Sequence, residues 1–176
     1  ILCFSYNKRD KKLENHGIAA HVSPGSGPRH LVFSPNGKYA YLMSELSCNV
    51  TVYTYKEGKL KELQTITADN ANARGGADIH VSPDGMFVYA STRLRGDGIT
   101  IFRVNNNGTL TRIGAQLTGK HPRNFAITPN GKFLLVACRD DNSIEVYSRD
   151  KFTGLLKNTN QDIILSHPVC VKFYPE

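Results

Sequence analysis

The chain has 176 residues, of which 40% are hydrophobic and 21% charged, and a formal net charge of +7. That length suits one ordinary domain, and that balance suits a folded, soluble chain better than a disordered one. No apolar run approaches the roughly 20 residues of a membrane span, and Cys3, Cys48, Cys138 and Cys170 lack the spacing of a zinc site or a disulfide framework.

In chain order, Ile1 to Tyr6 is apolar and extended, and Lys8, Arg9, Asp10, Lys11 and Lys12 follow as the one charge cluster. There is no secretory-signal pattern and no initiator methionine, so the natural N-terminus is expected upstream. A further strand begins near Leu13. His30-Leu31-Val32-Phe33 then enters a turn at Ser34-Pro35-Asn36-Gly37, and Tyr39-Ala40-Tyr41-Leu42 leaves it. A third strand is expected over Asn49–Tyr55 and a fourth from Leu60 to Thr67. The turn returns as Ser82-Pro83-Asp84-Gly85 and Thr128-Pro129-Asn130-Gly131, and the third strand returns as Ile99–Val104 and Ser143–Tyr147. Proline fixes φ and glycine tolerates positive φ, so each motif reverses the chain.

The turn prolines Pro35, Pro83, Pro129 and Pro175 lie 48, 46 and 46 residues apart. A period of that length with short alternating strands marks a β-propeller blade. Leu31, Ile79, Phe125 and Val171, with Phe33, Val81, Ile127 and Phe173, alternate at period two and are expected to pack. The predicted fold is all-β, a β-propeller of four-stranded antiparallel blades of about 46 residues. It forms a single partial domain over 1–176: 1–27 the end of a blade, 28–75, 76–121 and 122–167 three blade units, and 168–176 the first strand of another. Three blades cannot close a ring, since four to eight are usual, so the chain is expected to be part of a larger propeller.

Comparison between units separates frame from site. Six residues before the turn proline stand Arg29, Ala77, Arg123 and Val169; five before stand His30, Asp78, Asn124 and Cys170; ten after stand Glu45, Arg93 and Arg139. The first two strands of a blade form a hairpin, so these positions share one rim, and they vary where the frame does not. Arginines around one carboxylate and one imidazole suit an anionic substrate. Glu45 or His30 is placed to act as general base, and an arginine to stabilise an oxyanion. The competing expectation is that the rim arginines merely pair with Glu45 and Asp78. His80, in mid-strand, reads first as a structural histidine and second as a channel residue. His16, His21, His121 and His167 carry little signal, and Arg74 lies in a glycine-rich loop. The positive charges are otherwise scattered and no stacking aromatics accompany them, so neither nucleic acid nor membrane is an expected partner.

"GSGPRHLVFSPNGKYAYLMSEL", "GADIHVSPDGMFVYASTR" and "HPRNFAITPNGKFLLVAC" resemble the propeller-type 6-phosphogluconolactonases, relatives of the fungal carboxy-muconate cyclases. The resemblance covers nearly the whole chain. It implies seven blades around a channel, of which this chain holds about half, and metal-independent, cofactor-free hydrolysis of 6-phosphoglucono-lactone to 6-phosphogluconate in the pentose phosphate route. The matching site positions are Arg29, Glu45 and Arg93; a further histidine of the family's site belongs to a preceding blade. The expected roles are Glu45, His30 and Arg29 as catalytic groups, with Arg29 at the lactone carbonyl and Glu45, aided by His30, activating water. Arg93, Arg123, Asp78 and Arg139 are expected to bind substrate. The expected partners are a small anionic sugar lactone and the missing N-terminal half of the propeller, and the four thiols point to the cytoplasm. The alternatives are a lactonase or cyclase acting on another anionic lactone, and a non-enzymatic binding platform.

Overall fold

Each Ser/Thr-Pro-Asn/Asp-Gly motif builds the same turn. Ser34 Oγ donates to Asn36 Oδ1 and accepts the Tyr39 N–H, while Asn36 Oδ1 also accepts the Lys38 N–H. Ser82 with Asp84, and Thr128 with Asn130, repeat the pattern. Gly37, Gly85 and Gly131 have φ of 67°, 73° and 68°, a left-handed conformation that L side chains rarely adopt.

The computed structural model describes residues 1–69, 71, 72 and 74–174. On these turns it hangs β-hairpins that widen into antiparallel sheets. β1 (Leu2–Asn7) pairs with β2 (Lys12–Ile18). β3 (Pro28–Phe33), β4 (Tyr39–Ser44), β5 (Asn49–Lys56) and β6 (Lys59–Thr67) form the first four-stranded blade in sequence order. β7 (Gly76–Val81), β8 (Phe87–Thr92), β9 (Gly98–Val104) and β10 (Leu110–Leu117) form the second. β11 (Pro122–Ile127), β12 (Phe133–Cys138), β13 (Ser143–Arg149) and β14 (Leu156–Asn158) form the third, where β15 (Ile163–Ile164) also pairs with β13. The fourth strand of that blade is thus broken. Asn160 takes a left-handed φ of 55°, and Thr159 donates both its N–H and its hydroxyl to the Val146 carbonyl.

The blades stack face to face through their apolar positions. Tyr41, Val50 and Val52 of the first blade meet Ile79, Val88 and Phe102 of the second. Phe87, Tyr89 and Ile101 of the second meet Phe125, Leu134 and Val136 of the third. Each such side chain contributes about 1.5–3 kcal/mol by leaving water. Hydroxyls add direction: Tyr41 donates to the Gly108 carbonyl and Tyr89 to that of Gly154, each in the following blade.

Residues 168–174, expected to open a further blade, form no strand. Tyr174 within them is 93% exposed. One contact keeps them in line: the Val171 N–H donates to Asn124 Oδ1 at 2.7 Å. Pro175, the fourth turn proline, lies outside the described residues. No helix among the described residues is long and apolar enough to cross a membrane.

Candidate active site

All three first strands carry a β-bulge at the same end. The register slips between Pro28 and His30, between Gly76 and Ile79, and between Pro122 and Asn124. A bulge leaves a residue without a ladder partner and re-aims its side chain. Here the released positions are Arg29, Ala77 with Asp78, and Arg123. The unrepeated residues therefore sit where the ladder is interrupted, beside the ends of β4, β8 and β12 that carry Glu45, Arg93 and Arg139.

Two chains of polar contacts cross the blades there. In the first, Glu45 Oε2 lies 3.5 Å from Arg29 Nε, and Arg93 Nη2 donates to Glu45 Oε1. Arg93 Nη1 donates to His121 Nε2 at 3.0 Å, and His121 Nδ1 lies 3.3 Å from Asp140 Oδ2. Arg139 closes the series on Asp140 through Nε at 2.7 Å and Nη2 at 3.2 Å. Glycine makes the approach possible. A Cβ on Gly75 would stand 2.0 Å from the Arg93 carbonyl oxygen, and one on Gly76 would stand 2.4 Å from that of Ser44.

In the second chain, His30 Nδ1 lies 2.6 Å from Asp78 Oδ1, and Asn124 Nδ2 donates to Asp78 Oδ2 at 2.5 Å. His80 Nε2 meets the same Oδ2 at 3.1 Å, with its ring edge-on to Phe125 at 4.8 Å. Asn124 then reaches Val171, so inner strands of successive blades are tied in series.

The electrostatics follow from burial and neighbours. Burial opposes ionisation of Asp78, yet the bonds from His30 and His80 and the charge of His80 outweigh it and hold the carboxyl well below the usual range. Burial, then the charge of Arg93, lowers the Arg29 guanidinium against the pull of Glu45. Burial, then Arg139 and Arg93, lowers His121, in keeping with an Nε2 lone pair that accepts from Arg93.

Arg29, His30, Glu45, Asp78, Arg93, Arg123 and Arg139 thus share one rim, but three of the four expected substrate binders are otherwise engaged. The Arg93 side chain is 7% exposed and bridges Glu45 to His121. Asp78 is 4% exposed and its oxygens are filled by protein donors. Arg139 is held by Asp140. Arg93 and Asp78 are buried and already paired, whereas Arg139 lies at the surface beside Asp140. Arg123 differs: its half-buried guanidinium has no hydrogen bond or ion pair among the described residues.

In the sequence His121 carries little signal, Asp140 carries none, and His80 reads first as structural. What signal there is for His121 is positional. It occupies the place of Gly27 before Pro-Arg and shares its left-handed backbone, with φ of 59° against 67°. A histidine at a glycine's conformation asks for a reason, and Arg93 is that reason.

The family profile described as "Lactonase, 7-bladed beta-propeller" matches residues 1–173. The chain belongs to this lactonase family. A 6-phosphogluconolactonase of Formosa agariphila is 48% identical over 153 residues, covering 84% of this chain and 43% of that protein. One from Bacillus subtilis is 36% identical over 177 residues, covering 97% and 50%. The solved structure of a candidate 6-phosphogluconolactonase from Bacteroides uniformis superposes with a TM-score of 0.95 at 56% identity, covering 98% of this chain and 51% of that one. The lactonase chain therefore spans about half the length of the curated relatives it matches, and the sheets described above form a partial propeller.

Proposed function

We propose that this chain supplies one wall of the active site of a 6-phosphogluconolactonase, which hydrolyses 6-phosphoglucono-lactone to 6-phosphogluconate. The observation that carries the proposal is the convergence of Arg29, His30 and Glu45, with Arg123 near Arg29 and unpaired among the described residues, on one rim of a lactonase-family propeller. The remaining blades of a protein twice this length would complete the channel. The cytoplasm is part of the same proposal; it suits four thiols without disulfides.

The chemistry needs a cation at the lactone carbonyl, a base toward water and a counter-charge for the substrate's anion. Arg29 is fixed by Glu45 and by its own bond to the Ala77 carbonyl at 2.5 Å, which aims the guanidinium at the rim. It polarises the carbonyl and receives the negative charge as water adds. Arg123, without a hydrogen bond or ion pair among the described residues, anchors the phosphate. His30 and Glu45 are the two bases the rim offers.

The test uses the full-length protein with 6-phosphoglucono-lactone and with unphosphorylated glucono-lactone. Wild type should accelerate hydrolysis of the phosphorylated lactone, and Arg123→Ala should raise its KM by roughly ten- to hundredfold while sparing the unphosphorylated one. No acceleration of either lactone by a folded wild type would overturn the reading.

A further inference from the structure

Asp78 accepts five hydrogen bonds: His30 Nδ1 and the Ile79 N–H on Oδ1, and His80 Nε2, Asn124 Nδ2 and the Phe125 N–H on Oδ2. These bonds hold the Asp78 carboxyl well below its usual range, and Arg29, which can only donate, occupies His30 Nε2; the carboxylate is therefore ionised and His30 presents it with the Nδ1 N–H. That fixes a tautomer. His30 carries its proton on Nδ1, and its Nε2 keeps a lone pair, toward which Arg29 Nη1 donates at 3.2 Å. The His30 side chain is 42% exposed, so this lone pair is within reach of the rim. Glu45 has both oxygens against arginines, Oε2 on Arg29 and Oε1 on Arg93.

We propose that Asp78 is a positioning residue that makes His30 Nε2 the base of the hydrolysis, while Glu45 holds the arginines. This deepens the lactonase reading and rests on it. When the lactone carbonyl takes up the Arg29 N–H that faces Nε2, a water takes that place on Nε2 while Arg29 stays held by Glu45 and the Ala77 carbonyl. Nε2 accepts a proton from that water as its oxygen bonds to the carbonyl carbon, and the C=O π pair moves to the oxygen beside Arg29. Collapse of the adduct breaks the bond from carbonyl carbon to ring oxygen, and the ring oxygen takes the proton back from Nε2. The product is the open hydroxy acid and the histidine is regenerated.

Between these steps His30 is an imidazolium, and Asp78 is the anion that faces it at 2.6 Å. The other charged or titratable groups about it are Arg29 on β3, His80 on β7, Arg123 on β11, and Glu45 and Arg93 at the ends of β4 and β8. The cations oppose the imidazolium and Glu45 favours it. His80 and Asn124 hold the second oxygen of Asp78 and so fix the plane of the carboxylate.

The experiment is 15N NMR of the full-length protein labelled at histidine, together with kcat–pH profiles. Wild type should show His30 protonated on Nδ1 and bare on Nε2. Asp78→Asn should lose that preference, lower kcat by about a hundredfold or more with KM little changed, and move the acid limb to lower pH. Tyr89→Phe, which removes an inter-blade hydrogen bond remote from the rim, reports what weakened blade cohesion does alone. It should lower stability and leave the profile in place. His30→Gln, at a more exposed position, should lower turnover to the same extent and stands in should Asp78→Asn fail to fold. An Nε2–H tautomer in wild type, or a His30→Gln variant with wild-type kcat, overturns the assignment. So does an Asp78→Asn variant with an unmoved acid limb. A wild type that hydrolyses no lactone overturns the lactonase reading itself, a result separate from any of these.

Discussion

Arg93 reaches back across the blade boundary to Glu45, the residue that holds the equivalent place at the end of the preceding hairpin. The two positions are 48 residues apart, one repeat, and the opposite charge at the same site in successive blades is what joins them. Arg93→Met should therefore take the donor from Glu45 Oε1 and His121 Nε2 at once, leaving Glu45 to Arg29 and His121 to Asp140, at a cost of about 1–3 kcal/mol in stability and with reduced lactone turnover. Arg93→Lys should recover only part of each, because an ammonium cannot bridge two acceptors as a planar guanidinium does. Chemical denaturation and turnover of the two variants side by side decide this.

The depressed Asp78 carboxyl gives stability a defined pH dependence. The folded value lies below the ordinary 3.8, so the contribution is complete above 3.8 and is lost as pH falls further toward the folded value. The gap in melting temperature between wild type and Asp78→Asn should be widest near neutrality and should shrink by pH 3. A gap that stays constant over that range would contradict the assignment.

Glycine is required where one blade's turn meets the preceding blade's aromatic. Gly108 and Gly154 have φ of 83° and 76°, and a Cβ on either would stand 2.3 Å from the ring of Tyr39 or Phe87. Gly25, with φ of 75°, has nothing within 4 Å of that point. Gly25→Ala should then cost only the backbone strain of about 1–2 kcal/mol, whereas Gly108→Ala and Gly154→Ala should cost clearly more in thermal unfolding.

Two thiols should be inert. Burial, then the charge of Asp69, pushes Cys48 up to about 11, and burial, then the charge of Glu145, raises Cys138 further. The thiolate is the reactive form, so a thiol reagent at neutral pH should modify neither residue until the protein unfolds. Mass spectrometry of native and denatured samples reads the difference.

Much of the architecture is legible in the residues because it is local. The turn at Ser34–Gly37 is written in a hydroxyl, a proline, an amide and a glycine that contact one another, and the alternation of Ile79 with Val81 and of Phe125 with Ile127 sets which face packs; Phe33 and Phe173, expected to pack in the same way, are instead 45% and 39% exposed. Internal comparison likewise placed Arg29, Glu45 and Asp78 on one rim. It did not distinguish a residue that meets substrate from one that braces it. That Arg93 is spent on Glu45 and His121 while Arg123 has no partner among the described residues depends on the angle between blades and on the bulges at Arg29 and Arg123, which no repeat motif encodes. The broken fourth strand at Thr159–Asp162 escaped for a similar reason, since side-chain bonds to Val146 there replace part of the ladder.

The most direct test of the site is proton release from 6-phosphoglucono-lactone by the full-length protein, measured for wild type and Glu45→Gln against the spontaneous rate. Among the described residues Glu45 is the carboxylate that holds both Arg29 and Arg93. Fast hydrolysis in wild type that falls toward background in a folded Glu45→Gln is the expected result. A folded wild type no faster than background, or a Glu45→Gln variant as fast as wild type, would contradict it.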